Sequence, residues 1–197
     1  MFDLLVVIAA APIALLLSPI IALAIKLESP GPVIYRQERL GISGDQHGHR
    51  FDMLKFRSMR TDAEKSTGAV WAKEKDPRVT RVGWFLRKTR LDEVPQLVNV
   101  VRGDMSIVGP RPERPSIADD LSAKIPFYEE RVASVKPGIT GLAQIYQGYD
   151  RDLDDVRQKI LYDFSYSLVL KRPLAWLVED LRIILATAKV MLCGRGQ

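Results

Sequence analysis

From Leu4 to Ile25 the chain carries no charged side chain. As a helix those 22 residues reach about 33 Å, close to the roughly 30 Å hydrocarbon thickness of a bilayer. The run predicts a membrane helix, and two prolines predict a break in it. Pro19 has no amide hydrogen and its ring crowds the carbonyl four residues back, so a bend is expected after Ser18, with Pro12 as a second weak point. The Ser18 hydroxyl could satisfy the carbonyl that Pro19 frees, and composition leaves a kinked crossing and a re-entrant hairpin equally open. Asp3 precedes the run and no lysine or arginine does, which argues against a cleaved secretory signal. The flank that follows holds Lys26, Arg36, Arg39, Arg50, Lys55 and Arg57, a density that places it in the cytoplasm.

Beyond the apolar run, the pattern changes to short alternating segments. Val33, Ile34 and Tyr35, then Phe51, Met53 and Leu54, are separated by Gly41, Gly44 and Gly48 and predict a small β-hairpin between Ser29 and Phe56. His47 and His49 flank a glycine in that turn, where solvated side chains are expected more often than metal ligands. Residues 80–90 predict a helix with Val82, Phe85 and Leu86 on one side and a basic face of Arg81 and Lys88 that could meet phosphates. A second helix is expected over 92–102, opening on acidic residues and stopping at Gly103. Asp104 to Pro115 is too rich in proline for helix or central strand and predicts a stiff extended loop.

Near the end, Leu153, Val156, Ile160, Phe164 and Leu168 recur at helical spacing up to Pro173. From Pro173 to about Leu192 there are two stripes. Leu174, Leu177, Leu181, Ile184, Leu185 and Ala188 form one, while Trp176, Ile183 and Val190 lie opposite. A helix apolar on two sides needs two partners, which a protein core and a lipid surface would supply. Helices outnumber strands, so the expected fold class is an α-rich α+β protein. It combines a broken membrane helix over residues 1–28 with one compact cytoplasmic domain over 29–197, built from amphipathic interfacial helices and a small β-hairpin.

Composition narrows the chemistry only a little. With 47% hydrophobic residues among 197, a disordered or fibrous chain is excluded. The single cysteine, Cys193, excludes a disulfide scaffold. Lysine and arginine total 29 against 24 acidic residues, a net charge of +5 that suits phosphate-bearing partners or an anionic lipid surface. Between Arg78 and Arg114 lie Arg81, Arg87, Lys88, Arg90, Arg102 and Arg111, and among them sits the pair Asp92 and Glu93. An expected helix start would keep a carboxylate ionised there and draw phosphate to it. An ionised aspartate can attack phosphorus if cations offset the charge, and Mg²⁺ held by one or two carboxylates plus phosphate is the natural metal. The alternative reading is that the two carboxylates only cap the helix and pair with arginines.

Five ordered blocks then carry a resemblance: KFRSMR from Lys55, DPRVTR from Asp76, LDEVPQ from Leu91, NVVRGDMSIVGPRP from Asn99 and KPGITGLAQ from Lys136. Together they resemble the bacterial sugar transferases, the monotopic phosphoglycosyl transferases, in their small form and over essentially the whole chain. The resemblance implies a membrane-attached enzyme on the cytoplasmic face of the bacterial inner membrane. It would move a sugar-1-phosphate from a UDP-sugar to polyprenyl phosphate and so start a lipid-linked glycan, with no nucleic-acid partner. By motif, Asp92 would be the nucleophile. Glu93 would assist Mg²⁺ or the acceptor, so that both carboxylates count as metal candidates. Lys55, Arg87 and Arg111 would hold phosphates, and Pro110 to Pro112 would shape the nucleotide pocket. Ser18 and Pro19 would turn the helix so that both ends stay cytoplasmic. The family's usual arginine after the next glycine is missing, because Gly148 is followed by Tyr149 and Asp150, and Arg151 is the candidate substitute. Two rivals remain on the residues alone: a Mg²⁺-dependent lipid pyrophosphate phosphohydrolase, and a non-enzymatic basic module that docks on lipid or nucleic acid.

Overall fold

The computed structural model describes residues 2–42, 49–65, 68, 76–147, 152–172 and 174–193. Helix α1 (Phe2–Glu28) is followed by an antiparallel hairpin of β1 (Ile34–Leu40) and β2 (Arg50–Phe56). Then come α2 (Arg81–Lys88), a 3₁₀ turn (Leu91–Glu93), α3 (Gln96–Arg102) and β3 (Ser106–Val108). The chain continues with α4 (Pro115–Lys124), a 3₁₀ turn (Glu129–Val132), β4 (Gly138–Thr140), α5 (Leu142–Tyr146), α6 (Leu153–Val169) and α7 (Ala175–Leu192). The architecture is the helix-rich α+β fold expected from the sequence. His47 falls outside the described residues; the amide of His49 donates to Ile42 O at 3.2 Å at the turn end of the hairpin.

Helix α1 continues through Pro12 and Pro19 instead of ending at either. The Ser18 hydroxyl donates to Ala14 O at 2.6 Å. That is one residue before Leu15, whose carbonyl loses its donor to Pro19, so the expected compensation lands on the neighbouring carbonyl. Among the described residues α1 is the one helix long and apolar enough to cross a membrane. Nine of its large apolar side chains are exposed, from Leu4 to Leu27.

Both ends of α1 are fastened to the rest of the protein. At the first, the Asp3 carboxylate accepts from Ser106 Oγ at 2.9 Å and from the Ile107 amide at 3.1 Å, and Phe2 meets Trp176 edge-on. At the second, Glu28 accepts from the Arg81 and Val82 amides at 2.7 and 3.0 Å, so it satisfies two orphan donors at the start of α2. Arg57 closes the joint by donating to the Ser29 and Pro30 carbonyls at 2.7 and 2.5 Å. Val7 enters one core cluster with Phe51, Met53, Met105, Val108 and Ile183, while Ile21 and Ile25 enter another with Phe56 and Leu86. A third cluster joins α4 to α6 through Leu121, Ile125, Val156 and Ile160.

Two expectations are corrected. The stretch from Asp104 to Pro115 is not all loop, because Ser106–Val108 forms a strand that pairs in parallel with Gly138–Thr140. Proline excluded a central strand only at its own positions, and the three residues before Gly109 are free of it. The pairing is possible because Gly109, Gly138 and Gly141 bring backbones together: a Cβ on any of them would collide with backbone atoms across the contact. The second correction concerns Phe85, which is exposed, whereas its expected companions Val82 and Leu86 pack against the Ile21 and Ile25 end of α1. Helix α7 does have two apolar sides. Ile183 is fully buried, and Leu174, Val178, Leu181, Leu185 and Leu192 form an exposed stripe at and beyond its start.

Candidate active site

Period-two alternation along the hairpin builds one wall of the site. Tyr35, Gln37 and Arg39 pair with Lys55, Met53 and Phe51, so these side chains share one face of the ribbon. From that face Tyr35, Gln37, Arg39 and Lys55 line a cavity of about 820 Å³, while Met53 and Phe51 pack into the core. Arg87 reaches it from α2, Asp92 and Glu93 from the 3₁₀ turn, and Arg111 from the loop after β3. Gln144 enters from α5 and Gln147 from just beyond it. Ten cationic side chains line the cavity among the described residues, against the four carboxylates Glu64, Asp92, Glu93 and Glu113. An excess of that size favours a polyanionic guest.

Glu93 lies at the centre of the charge. Its Oε1 accepts from Arg111 Nη2 at 3.0 Å and from Lys55 Nζ at 3.4 Å, and Arg90 Nη1 stands 3.8 Å from Oε2. Burial works against its ionised form, yet the charges of Arg111, Lys55 and Arg90 outweigh burial and hold the carboxyl well below its ordinary range. Its neighbour goes the other way. Burial pushes Asp92 up, Lys55 opposes this, and the Glu93 charge adds to the rise. No hydrogen bond or ion pair to another described residue occupies the Asp92 carboxylate. Burial also pushes Lys55 down, to about 8, with Arg111 adding to that and Glu93 opposing it. Two adjacent carboxylates are thus set apart: one is locked as a charged anchor, and the other is free to act on a guest.

The expected position of this pair at a helix start is corrected. Leu91–Glu93 is a separate 3₁₀ turn entered through Arg90 at φ 56°, and α3 begins only at Gln96. Pro95 delays the helix, so Asp92 does not open its first turn, and burial raises its pKa where the sequence led one to expect a carboxylate kept ionised by helix amides. The expected basic face of α2 is corrected as well. Arg81 and Lys88 do not line the cavity, and Lys88 instead lies over the Trp84 ring at 4.8 Å, so that Arg87 is the residue α2 contributes. Pro110 and Pro112 are fully buried and are absent from the cavity wall, so they stiffen the segment that carries Arg111. Arg151, Tyr149 and Asp150 lie outside the described residues.

Sequence reasoning missed several parts of the site. Arg39, Arg90 and Arg114 line the cavity, and Arg39 donates to Pro112 O and pairs with Glu113, at 3.0 and 3.1 Å. The alternating Tyr35, Gln37, Arg39 pattern was the available signal, but it carries no message until the register is known. Two buried groups support the site from behind. Asn99 joins α3 to β2 beside Lys55 by accepting from the Leu54 amide at 3.0 Å and donating to Asp52 O at 2.8 Å. Arg131 donates to the Arg111 carbonyl at 3.1 Å and pairs with Asp163 at 2.8 Å.

The family model described as bacterial sugar transferase matches residues 1–194. The chain belongs to the bacterial sugar transferase family. Among its relatives, a UDP-N-acetylgalactosamine-undecaprenyl-phosphate N-acetylgalactosaminephosphotransferase of Aeromonas hydrophila is 45% identical, over 98% of this chain and 43% of its own length. A putative undecaprenyl-phosphate N-acetylgalactosaminyl 1-phosphate transferase of Bacillus subtilis (strain 168) is 52% identical, over 62% of this chain and 65% of its own. A UDP-glucose:undecaprenyl-phosphate glucose-1-phosphate transferase of Caulobacter vibrioides is 43% identical, over 94% and 67%. The chain therefore spans less than two thirds of the first two of these curated relatives. Those named sugar transferases differ in the sugar they carry, so membership of the family leaves the sugar unassigned.

Proposed function

We propose that this protein transfers a sugar-1-phosphate from a UDP-sugar to polyprenyl phosphate in two steps on Asp92. In the first, an Asp92 carboxylate oxygen bonds to the β-phosphorus as the bond from that phosphorus to the bridging oxygen breaks, and UMP leaves with the electron pair. In the second, a phosphate oxygen of the polyprenyl carrier bonds to the same phosphorus. The bond to Asp92 breaks, and the products are the free carboxylate and a polyprenyl diphosphosugar. The observation that carries this reading is the unoccupied Asp92 carboxylate, beside a Glu93 clamped by Lys55 and Arg111, in a cavity with ten cations.

The chain's own residues divide the work. Lys55, Arg87 and Arg111 attract the diphosphate, and their charge also favours the ionised form of Asp92 against the effect of burial. Among the described residues no cluster of three or more ligating side chains exists. Mg²⁺ does not require one, since it is commonly held by one or two carboxylates plus substrate phosphates. The residues fit it, because Glu93 Oε2 is buried without a hydrogen-bond partner among the described residues and Asp92 is adjacent. When bound, the ion would supply charge to offset the diphosphate.

In this reading residues 1–28 form a re-entrant membrane element and 29–197 a catalytic body on the cytoplasmic face of the inner membrane. A straight helix of 27 residues measures about 40 Å, and a spanning one would separate its ends across the bilayer. Asp3 and Glu28 both bond to the same body, which supports a helix that enters and leaves on one side.

The test is UMP release from a panel of UDP-sugars, with and without polyprenyl phosphate. Wild-type protein should release UMP and, without acceptor, retain label from a β-phosphate-labelled donor. Asp92→Asn should do neither, and full turnover by that variant would end the mechanism. Release of inorganic phosphate from a lipid pyrophosphate, with no need of a sugar nucleotide, would favour a phosphohydrolase.

A further inference from the structure

Where the cavity is reached from α5, its wall offers hydrogen-bond acceptors in addition to the cations that dominate its charge. Gln144 Nε2 donates to Ile139 O at 3.0 Å, and Gln147 Nε2 donates to Asp155 O at 2.7 Å. Each carboxamide is thereby fixed in orientation, because a flip would set its oxygen against a carbonyl oxygen. Both Oε1 atoms are buried and have no hydrogen-bond partner among the described residues. Both residues line the cavity. Buried acceptors of this kind are rarely left without a donor, and two together, each fixed through its nitrogen, point to a guest that brings the donors.

Their place in the fold says which part of the guest they meet. Gly109 donates to Thr140 O and Gly138 donates to Pro110 O, each at 2.9 Å, so the strand that feeds α5 is bonded to the segment that carries Arg111. The acceptor pair and the cations assigned above to the diphosphate therefore line one cavity from segments that are bonded together. The groups next to a diphosphate in a sugar nucleotide are two polyols, the hexose on one side and the ribose on the other. The uracil ring offers one imide hydrogen, too few for two acceptors.

Building on the transferase reading above, we propose that Gln144 and Gln147 form a hydroxyl-reading subsite that accepts hydrogen bonds from a sugar ring of the donor and helps determine which donor is used. A donor that lacks the matching hydroxyl leaves an acceptor unpaired, so its kcat/KM should fall roughly ten- to hundredfold. The experiment is a cycle on the full chain in membranes or detergent. Wild type, Gln144→Met and Gln147→Met are each assayed for UMP release with UDP-hexoses deoxygenated singly on the hexose and, separately, at the 2′ or 3′ position of the ribose. The expected result is a deoxy penalty in wild type that disappears in a glutamine variant. Its appearance in the hexose arm assigns the pair to the transferred sugar, and in the ribose arm to the nucleoside. Gln144→Leu and Gln147→Leu also remove the acceptor, should lose the penalty likewise, and serve where a methionine variant does not fold. Deoxy penalties of equal size in wild type and in every variant would overturn the subsite. Wild-type protein that releases no UMP from any UDP-sugar would instead overturn the transferase reading on which the subsite rests.

Discussion

At the scale of single residues, the site depends on how unlike its neighbouring charges are. Lys55 is held by burial at about 8, well below a free lysine, so it is a cation at neutral pH and loses its proton just above. Its attraction for phosphate and its pairing with Glu93 should therefore fade as pH passes 8, and activity should fall on that limb. The unfolded chain keeps this proton up to about 10.4, so Lys55 makes folding stability rise with pH between those values, opposite to the trend in activity. Lys55→Arg stays charged throughout and should move the alkaline limb of the kcat/KM profile upward by a unit or more, if the larger head is accommodated. A limb that stays near 8 in an active Lys55→Arg enzyme would remove Lys55 as its origin. Asp92 and Glu93 were legible in the sequence because adjacent carboxylates in a basic stretch are conspicuous. Their opposite shifts were not, since these depend on Arg111 and Lys55 arriving from distant segments. Gln144 stood in view within a recognisable block, and only the bond to Ile139 reveals that its oxygen is the free end.

At the scale of elements, amphipathic periodicity sufficed for α2, α6 and α7, and alternation sufficed for the hairpin. It failed where pairing is decided elsewhere in the chain. Strand β3 is three residues long and exists because β4 lies beside it, across contacts that three glycines permit. The delayed start of α3 follows from Pro95, which has no amide hydrogen to bond back to Leu91. Asn99 shows how such elements are joined. It is fully buried, and its amide replaces backbone partners for Leu54 and Asp52 next to the strand position of Lys55. Asn99→Leu would strand a buried amide and a carbonyl together, and should cost about 2–4 kcal/mol of stability by denaturant titration. Turnover should fall further than unfolding alone explains, since the lysine loses its fixed register. A variant with unchanged midpoint and unchanged turnover would show that the bridge is dispensable.

For the molecule as a whole, the long apolar helix, the excess of cations and the family were legible, because each rests on many residues at once. The cavity was not, because hairpin face, 3₁₀ turn and proline-stiffened loop meet only in three dimensions. Two features of helix α1 do not emerge from its composition: the Asp3 contact with β3 and the Glu28 contact with α2, made by polar residues at the margins of an apolar run. They bear on how the protein can be extended. A polypeptide spliced ahead of Met1 would have to depart near Asp3, which is held against the same body that Glu28 meets. An epitope ahead of Met1 and the exposed Cys193 should thus react together, or be shielded together, when sealed vesicles meet impermeant labels. Opposite labelling would mean that the tethers at the two tips release in the bilayer and that the helix threads through it.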